Sequence, residues 1–361
     1  MENPLGQSLR ELPGPLLLTG HTGFKGAWMT FLLEHLKVPV VGFSLPPEDG
    51  SLFSRAERTS AIPEVFADIR DYDSLERFID SHKPSTIIHM AAQPLVLKSY
   101  DNPRDTFEVN VMGTVNLLDI AFKRDFVKAI IIVTTDKVYR NDNTGTAFVE
   151  TDPLEGKDPY SASKVGTEAV VAAWQQISDI SGGPKIVSVR AGNVIGGGDF
   201  AENRIIPDIV RGILNEMPVH VRNPESTRPW QHVLDPLMGY LMTLNFALYN
   251  SSITSLNFGP TLQSLSIKYI INEATECFPT LQALTPVSHN EDKFLEARSL
   301  ELNSGKAIET ISWRPIWSQE EAIKRTFAWW KNLIKGHNNP EELCVGDIVD
   351  YMVKVNEQEE F

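Results

Sequence analysis

Short apolar runs punctuate the first half of the chain, and between them apolar residues return at the three-and-four spacing of a helix. The runs lie at 16–18, 38–44, 65–69, 86–92, 129–133 and 185–190; the fifth, Ala-Ile-Ile-Ile-Val, contains no polar residue at all. An apolar run of this length without alternation is the pattern of a strand buried on both faces. Helical spacing fills 27–37, 73–82, 103–123 and the stretch that begins at Tyr160. Regular alternation of strand and helix predicts an α/β chain with a Rossmann-type doubly wound parallel sheet, helices on both faces, and a ligand crevice outside the carboxyl ends of the strands. Past residue 190 the alternation loosens, with helices predicted at 207–215, 234–249, 267–276 and 319–335. The segment 140–157, rich in Asn, Asp, Thr, Gly and Pro, reads as a surface loop. The tail from 338 ends in Glu357-Gln358-Glu359-Glu360 and reads as acidic, solvated and frayed.

The 361 residues include 33 basic and 47 acidic side chains, a net charge of −14, and 42% are hydrophobic. That is enough apolar residue for a sizeable core, and the acidity argues against a nucleic-acid surface or an anionic membrane as partner. Cys277 and Cys344 are far apart and share no metal-ligand spacing, so neither a disulfide framework nor a metal site is expected, and a reducing, cytoplasmic setting fits. The first fifteen residues are polar and interrupted by proline, and no run approaches the roughly 18 apolar residues of a membrane span.

Chemistry concentrates where the strands are predicted to end. The run at 16–18 leads into Thr19-Gly20-His21-Thr22-Gly23-Phe24-Lys25-Gly26 and then into a helix. Strand, glycine turn and helix in this order let backbone N–H groups and a helix N-terminus approach a pyrophosphate, so residues 20–26 are candidates to bind a dinucleotide. The chain then divides into a dinucleotide-binding domain over 1–190, rejoined by parts of 230–260, and a smaller, mainly substrate-binding domain over 191–361. At the end of the second strand, where an acid often holds the ribose hydroxyls, stand Ser44 and Leu45, and no arginine follows until Arg55. The second strand therefore leaves NAD and NADP open. Tyr160 and Lys164 are four residues apart and share a helix face, behind Pro159 at a helix start. An ammonium beside a phenol favours the phenolate, which turns a group with a pKa of about 10 into a base for an alcohol. Arg222, Arg228 and Arg298 are candidate phosphate clamps.

These residues resemble the extended short-chain dehydrogenase/reductase superfamily, and within it the nucleotide-sugar 4,6-dehydratases. The generic signs are Thr-Gly-x-x-Gly-x-x-Gly at 19–26, Asp68-Ile69, His89-Met-Ala-Ala92, and Tyr160 with Lys164. Ala92-Gln-Pro-Leu95, Asn110-Val-Met-Gly-Thr114, Thr134-Thr-Asp-Lys-Val-Tyr139, Arg190-Ala-Gly-Asn-Val-Ile-Gly-Gly-Gly-Asp199, Arg228-Pro-Trp-Gln-His232 and Asn257-Phe-Gly-Pro260 are similar to the CDP-glucose branch. The resemblance runs from about Leu16 to Trp330. It implies NAD as cofactor and Thr135, Tyr160 and Lys164 as a dehydrogenase triad, with Asp136 and Lys137 as a dehydration pair. It further implies that Asp68 and Ile69, with Ala91 and Ala92, line the cofactor, and that Gln93, Asn193, Arg204 and Arg228 hold the nucleotide sugar. Arg298 stands where the branch has a non-basic residue, and 288–302 matches loosely.

The implied reaction turns CDP-D-glucose into CDP-4-keto-6-deoxy-D-glucose. C4 oxidation acidifies the C5 hydrogen, water leaves across C5 and C6, and the hydride returns to C6. Asp136 and Lys137 are expected side by side on an extended segment. The alternatives are another NAD-dependent nucleotide-sugar epimerase or dehydratase of different nucleotide specificity, and, from a different class, a non-catalytic dinucleotide-sensing regulator, a class that usually lacks the Tyr160/Lys164 pair. Ala162, Gly166, Ala169 and Ala173 form a small-residue stripe, and with the resemblance they predict a homodimer built on the helices at 103–123 and 160–176.

Overall fold

The computed structural model describes residues 4–143, 145–221, 223–250, 253–261, 264–281, 283–284 and 300–359. After α1 (Pro4–Arg10), the chain runs β1 (Leu16–Thr19), α2 (Phe24–His35), β2 (Val40–Ser44), α3 (Leu52–Arg55), β3 (Glu64–Phe66), α4 (Tyr72–His82) and β4 (Thr86–His89). Then come α5 (Val96–Asp101), α6 (Pro103–Phe107), a π-helical turn (Glu108–Met112), α7 (Gly113–Phe122), β5 (Ala129–Val133), a 3-10 turn (Asp136–Val138), α8 (Pro159–Ser181) and β6 (Lys185–Ala191). The remainder is β7 (Asn193–Ile195), α9 (Ile205–Leu214), β8 (Val219–His220), β9 (Thr227–Arg228), β10 (Trp230–His232), α10 (Leu234–Tyr249), β11 (Ser255–Phe258), β12 (Leu265–Ser266), α11 (Ile267–Cys277), β13 (Ala283–Leu284), α12 (Gly305–Ile311), α13 (Gln319–Ile334) and α14 (Pro340–Glu359).

Seven parallel strands form one sheet in the order β11-β6-β5-β4-β1-β2-β3. The order reverses between β1 and β4, where Thr19 lies opposite His89, and that switch point opens the crevice. The central strands feed two cores at once: Leu16, Leu18, Ile131 and Val133 pack with Trp28, Leu237 and Trp330 on one face. Leu17, Ile130 and Ile132 pack with Leu75, Leu117 and Val171 on the other. This two-sided burial is why the runs show no alternation. Short strand pairs, β7 with β10, β8 with β13 and β9 with β12, make up the less regular part.

The helix predicted over 103–123 is broken by its π-helical turn. There the Asn110 carbonyl accepts from the hydroxyls of Thr114 (2.8 Å) and Thr167 (2.9 Å), side-chain bonds that accompany the widened ladder. The strands predicted at 65–69 and 86–92 end earlier, at Phe66 and His89, leaving Asp68, Ile69, Ala91 and Ala92 in the loops at the crevice. The tail is a correction: 340–359 is helical, and Cys344, Ile348, Tyr351 and Met352 are buried at helical spacing against α2 and α13, with only exposed residues such as Glu357 in water. The 140–157 loop is pinned by a bridge from Tyr139 to Leu154 and by Tyr139 stacked on Phe148 at 4.9 Å.

Candidate active site at the carboxyl ends of β1, β4 and β5

The glycine turn is shaped by close approach. Gly20 has φ +74°, and a Cβ there would lie 2.7 Å from Ala91 N; one on Gly26 would lie 2.1 Å from Gly20 O. Gly23 differs, because a Cβ on it would meet only Gly20 O at 3.5 Å. It is exposed and caps α2 without any side-chain acceptor, so the first N–H groups of that helix face open space. The Thr22 hydroxyl shares a hydrogen bond with Ser44 Oγ at 2.7 Å and donates to Leu45 O at 3.0 Å, filling the end of β2 where an acid would stand. Arg55 lies over the Phe200 ring and donates to Gly50 O, so its guanidinium is engaged away from β2. An uncapped helix start above a switch point, with no side chain over Gly23, fits a dinucleotide.

Other residues of this group have more than one employment. The His21 ring is fully buried, 2.7 Å from Glu64 Oε2, leaving its backbone for a ligand. Phe24 packs beside Gly196. Asp68 is held by Arg70 at 2.7 Å, which lowers its pKa, and Arg70 also binds Asp105 at 2.7 Å. Ile69 is buried against Gly113. The Gln93 amide donates to Leu95 O and Thr106 Oγ1 and accepts from Leu95 N, so its side chain shapes its own loop at the crevice.

The five catalytic candidates meet. Asp158 caps α8 by accepting from Ser161 N at 2.9 Å, with Pro159 in the first turn, and this start sets Tyr160 and Lys164 on one inward face. Across from them, Thr135 to Val138 is no extended segment. Thr135 accepts from Lys137 N and caps a 3-10 turn, which brings Lys137 Nζ to 3.1 Å from Asp136 Oδ1, while Thr135 Oγ1 donates to the same oxygen at 3.0 Å. Asp136 is buried and Lys137 partly exposed. Lys164 Nζ donates to Val133 O at 3.0 Å.

Burial pushes the Tyr160 hydroxyl up to about 12, against a hydrogen bond with Thr135; Asp136 adds to the rise and Arg204 opposes it. Tyr160 is therefore held as the phenol, which corrects the phenolate expected from the sequence. Burial brings Lys164 down to about 8 against the pull of Glu168. Lys25 comes down to about 7 through burial and the nearby charges of Arg204 and Lys164, with its Nζ 3.4 Å from Tyr240 Oη. Arg204 opens α9 with its guanidinium on Asp199 at 3.0 Å. His89, 2.7 Å from Thr19 Oγ1, is lowered to about 3 by burial and by Lys164 and stays neutral.

Asn193 sits half-buried on β7 opposite Trp230, and Arg228 on β9 donates to Thr227 O at 2.8 Å. Arg222 and Arg298 lie outside the described residues, as does most of 288–302. The three adjacent glycines are a packing device: a Cβ on Gly197 would lie 1.9 Å from the Trp329 ring. Sequence reading missed Tyr240, Glu168 and Arg190 as neighbours of the site. Glu168 follows Lys164 by one helical repeat and was open to discovery; nothing local marks Tyr240.

A GDP-mannose 4,6 dehydratase family model matches residues 17–326. The chain is 37% identical over 350 residues to a CDP-glucose 4,6-dehydratase of Salmonella typhimurium, covering 93% of this chain and 96% of that protein. It is 25% identical to a dTDP-glucose 4,6-dehydratase of the same organism, covering 89% and 95%. Among solved structures, a dTDP-glucose 4,6-dehydratase of Streptomyces venezuelae with NAD bound superposes with TM-score 0.73 at 22% identity, over 91% of this chain and 99% of that one. A UDP-glucose 4-epimerase of Stenotrophomonas maltophila with bound NAD gives 0.77 at 20%, over 90% and 100%. The structural likenesses establish the fold, and the match over 17–326 together with the 37% identity establishes kinship: this chain belongs to the GDP-mannose 4,6 dehydratase family.

Proposed function

We propose that the chain catalyses NAD-dependent 4,6-dehydration of a nucleotide-diphospho-glucose, CDP-D-glucose in particular, to CDP-4-keto-6-deoxy-D-glucose. The observation that carries this reading is the convergence of Thr135, Asp136 and Lys137 from the end of β5 with Tyr160 and Lys164 from α8. An alcohol-oxidising pair and a separate acid–base pair in one crevice suit oxidation followed by elimination. The nucleoside follows the relative at 37% identity, above the 25% of the thymidine-type relative.

The turn at 20–26 would hold NAD, and the chemistry that group would supply there is reversible hydride transfer between C4 and C6. Tyr160 takes the proton of the 4-hydroxyl. Because burial holds that phenol at about 12, the transfer relies on what opposes burial, the Thr135 hydrogen bond and the cationic charge of Arg204. Thr135 steadies the developing phenolate once its one hydroxyl proton turns from Asp136 Oδ1 to Tyr160. Lys137 first passes one proton to Asp136 across the 3.1 Å that separates them; the neutral amine then takes the C5 hydrogen and the Asp136 carboxyl gives its proton to the departing O6. Asn193, Arg204 and Arg228 bind the nucleotide diphosphate. Residues 1–190 with 230–260 are assigned to the cofactor and 191–361 mainly to the substrate. The setting is cytoplasmic, in keeping with two free cysteines, and the product feeds deoxysugar synthesis.

A homodimer is assigned to the outer faces of α6 to α8, where Phe107, Met112, Ile177 and Ile180 are exposed. Of the small-residue stripe, Gly166 packs on Val111 of the same chain, whereas Ala169 and Ala173 face outward. Light scattering at micromolar concentration tests this, and a monomer refutes it.

CDP-glucose deuterated at C4 tests the reaction. The product should be lighter by one water and keep its label at C6, with no build-up of reduced dinucleotide. An epimer of unchanged mass, or one reduced dinucleotide released per sugar, overturns the reading.

A further inference from the structure

Glu168 takes no part in the reaction just described, yet it is the most heavily bonded carboxylate near it. Its Oε1 accepts from Thr134 Oγ1 at 2.6 Å and Arg190 Nε at 2.8 Å; its Oε2 accepts from Ser188 Oγ and from a second Arg190 nitrogen, each at 2.8 Å. The side chains of Glu168 and Arg190 are each 5% exposed. Arg190 also donates to Tyr139 Oη at 2.8 Å, and that hydroxyl donates to Asn257 Oδ1 at 2.8 Å. One carboxylate therefore ties α8 to β5 and β6. On α8 it sits one helical repeat past Lys164 and two past Tyr160, and just past β5 it grips Thr134, the residue between Val133, whose carbonyl accepts from Lys164, and Thr135.

The geometry points to Glu168 as a positioning residue for Lys164: it fixes α8 against the end of β5 and sets a negative charge one helical repeat from the ammonium. The proposal rests on the assignment of Tyr160 and Lys164 to the alcohol-oxidising step. A bidentate bond to Arg190 keeps the carboxylate ionised despite its burial, and both hydroxyls aim at it as donors. The groups facing the Lys164 ammonium are Glu168 on α8, neutral His89 on β4, Lys25 on α2 and the Val133 carbonyl on β5. Glu168 is the anion among those whose pull on Lys164 is resolved; burial alone would drive the amine further toward its neutral form, and burial with Glu168 together leave it at about 8. Losing that charge should move the Lys164 titration down by about one pH unit or more.

The test is Glu168→Gln, which keeps the size and removes the charge. Competitive acetylation with acetic anhydride and peptide mass mapping reads the fraction of neutral amine at Lys164 against pH, with neither coenzyme nor sugar present. The wild-type half-point should fall near pH 8 and that of the variant at least about one unit lower, and the alkaline limb of kcat with CDP-glucose should shift alike while KM for the sugar nucleotide changes little. Thr134→Val removes one hydrogen bond and no charge, so it should lower the melting temperature and leave the half-point in place. If Glu168→Gln does not fold, Glu168→Asp retracts the charge by one methylene and should shift the half-point in the same direction by less. An unmoved half-point in a folded Gln or Asp variant overturns the proposal. A shifted half-point in a protein that does not dehydrate CDP-glucose sinks the proposed reaction and leaves the Glu168–Lys164 coupling standing.

Discussion

Thr135→Val isolates one hydroxyl in the crevice. Valine keeps the shape, so the change removes two bonds, the one with Tyr160 and the donation to Asp136 Oδ1 at 3.0 Å, and also the acceptor of the weak bond from Lys137 N at 3.3 Å. Asp136 keeps Lys137 at 3.1 Å, so it is not left alone. Tyr160 has no such reserve. Burial already holds its hydroxyl at about 12, and the Thr135 bond is the first of the influences that pull it back. At pH 7, ionising a group at about 12 costs about 7 kcal/mol, which makes every stabilising contact to the phenolate count in the rate. A hydrogen bond to a charged group is worth about 1.5–3 kcal/mol, so kcat should fall about 10- to 150-fold. The fold drop should be the same from pH 6 to 9, because that range lies well below about 12 for wild type and variant alike. KM for the nucleotide sugar should hardly change, and Thr135→Ser should recover most of the rate. The assay is kcat from pH 6 to 9 at saturating CDP-glucose and NAD, with thermal unfolding to show that the 3-10 turn survives. A Val variant with wild-type kcat across that range refutes the idea that Thr135 supports the Tyr160 phenolate.

Further tests bear on other parts of the molecule. Tyr160→Phe should abolish turnover yet leave the circular dichroism spectrum and NAD binding by fluorescence close to wild type; residual turnover at the wild-type rate removes Tyr160 from the base role. Asp235 is fully buried, with Oδ1 accepting from Ile316 N at 2.7 Å and Tyr351 Oη at 3.1 Å, and burial raises its pKa to about 7. The folded state then binds a proton that the unfolded state releases near 3.9, so its contribution is complete below about pH 4 and is lost as pH rises to about 7, by about 4 kcal/mol. Asp235→Asn should flatten urea midpoints between pH 5 and 8 relative to wild type, and parallel curves would contradict this. Ile348→Ala, at a fully buried position of α14, should cost about 3 kcal/mol in urea unfolding, and no loss would mean that α14 is not docked in solution.

The parallel sheet was legible because its strands, exemplified by Ala129–Val133, are apolar throughout, a local pattern produced by burial on both faces. The glycine turn was legible for a similar reason: Gly20 and Gly26 stand where any Cβ would strike backbone. Tyr160 and Lys164 were legible from helical spacing. The docking of α14 was also written in the spacing of Cys344, Ile348, Tyr351 and Met352, but the acidic residues between them dominated the reading. What needed the tertiary structure was every property that depends on residues distant in the chain. Spacing brings a lysine beside a tyrosine, but the sign of the tyrosine's shift is set by how much protein closes over it, and burial outweighs the charges in this crevice. The approach of Tyr240 to Lys25, 215 positions apart, follows from α10 packing beside α2. The Glu168–Arg190 pair likewise exists because β6 lies beside β5 under α8, and that adjacency is set by the order of strands in the sheet, which no stretch of sequence contains.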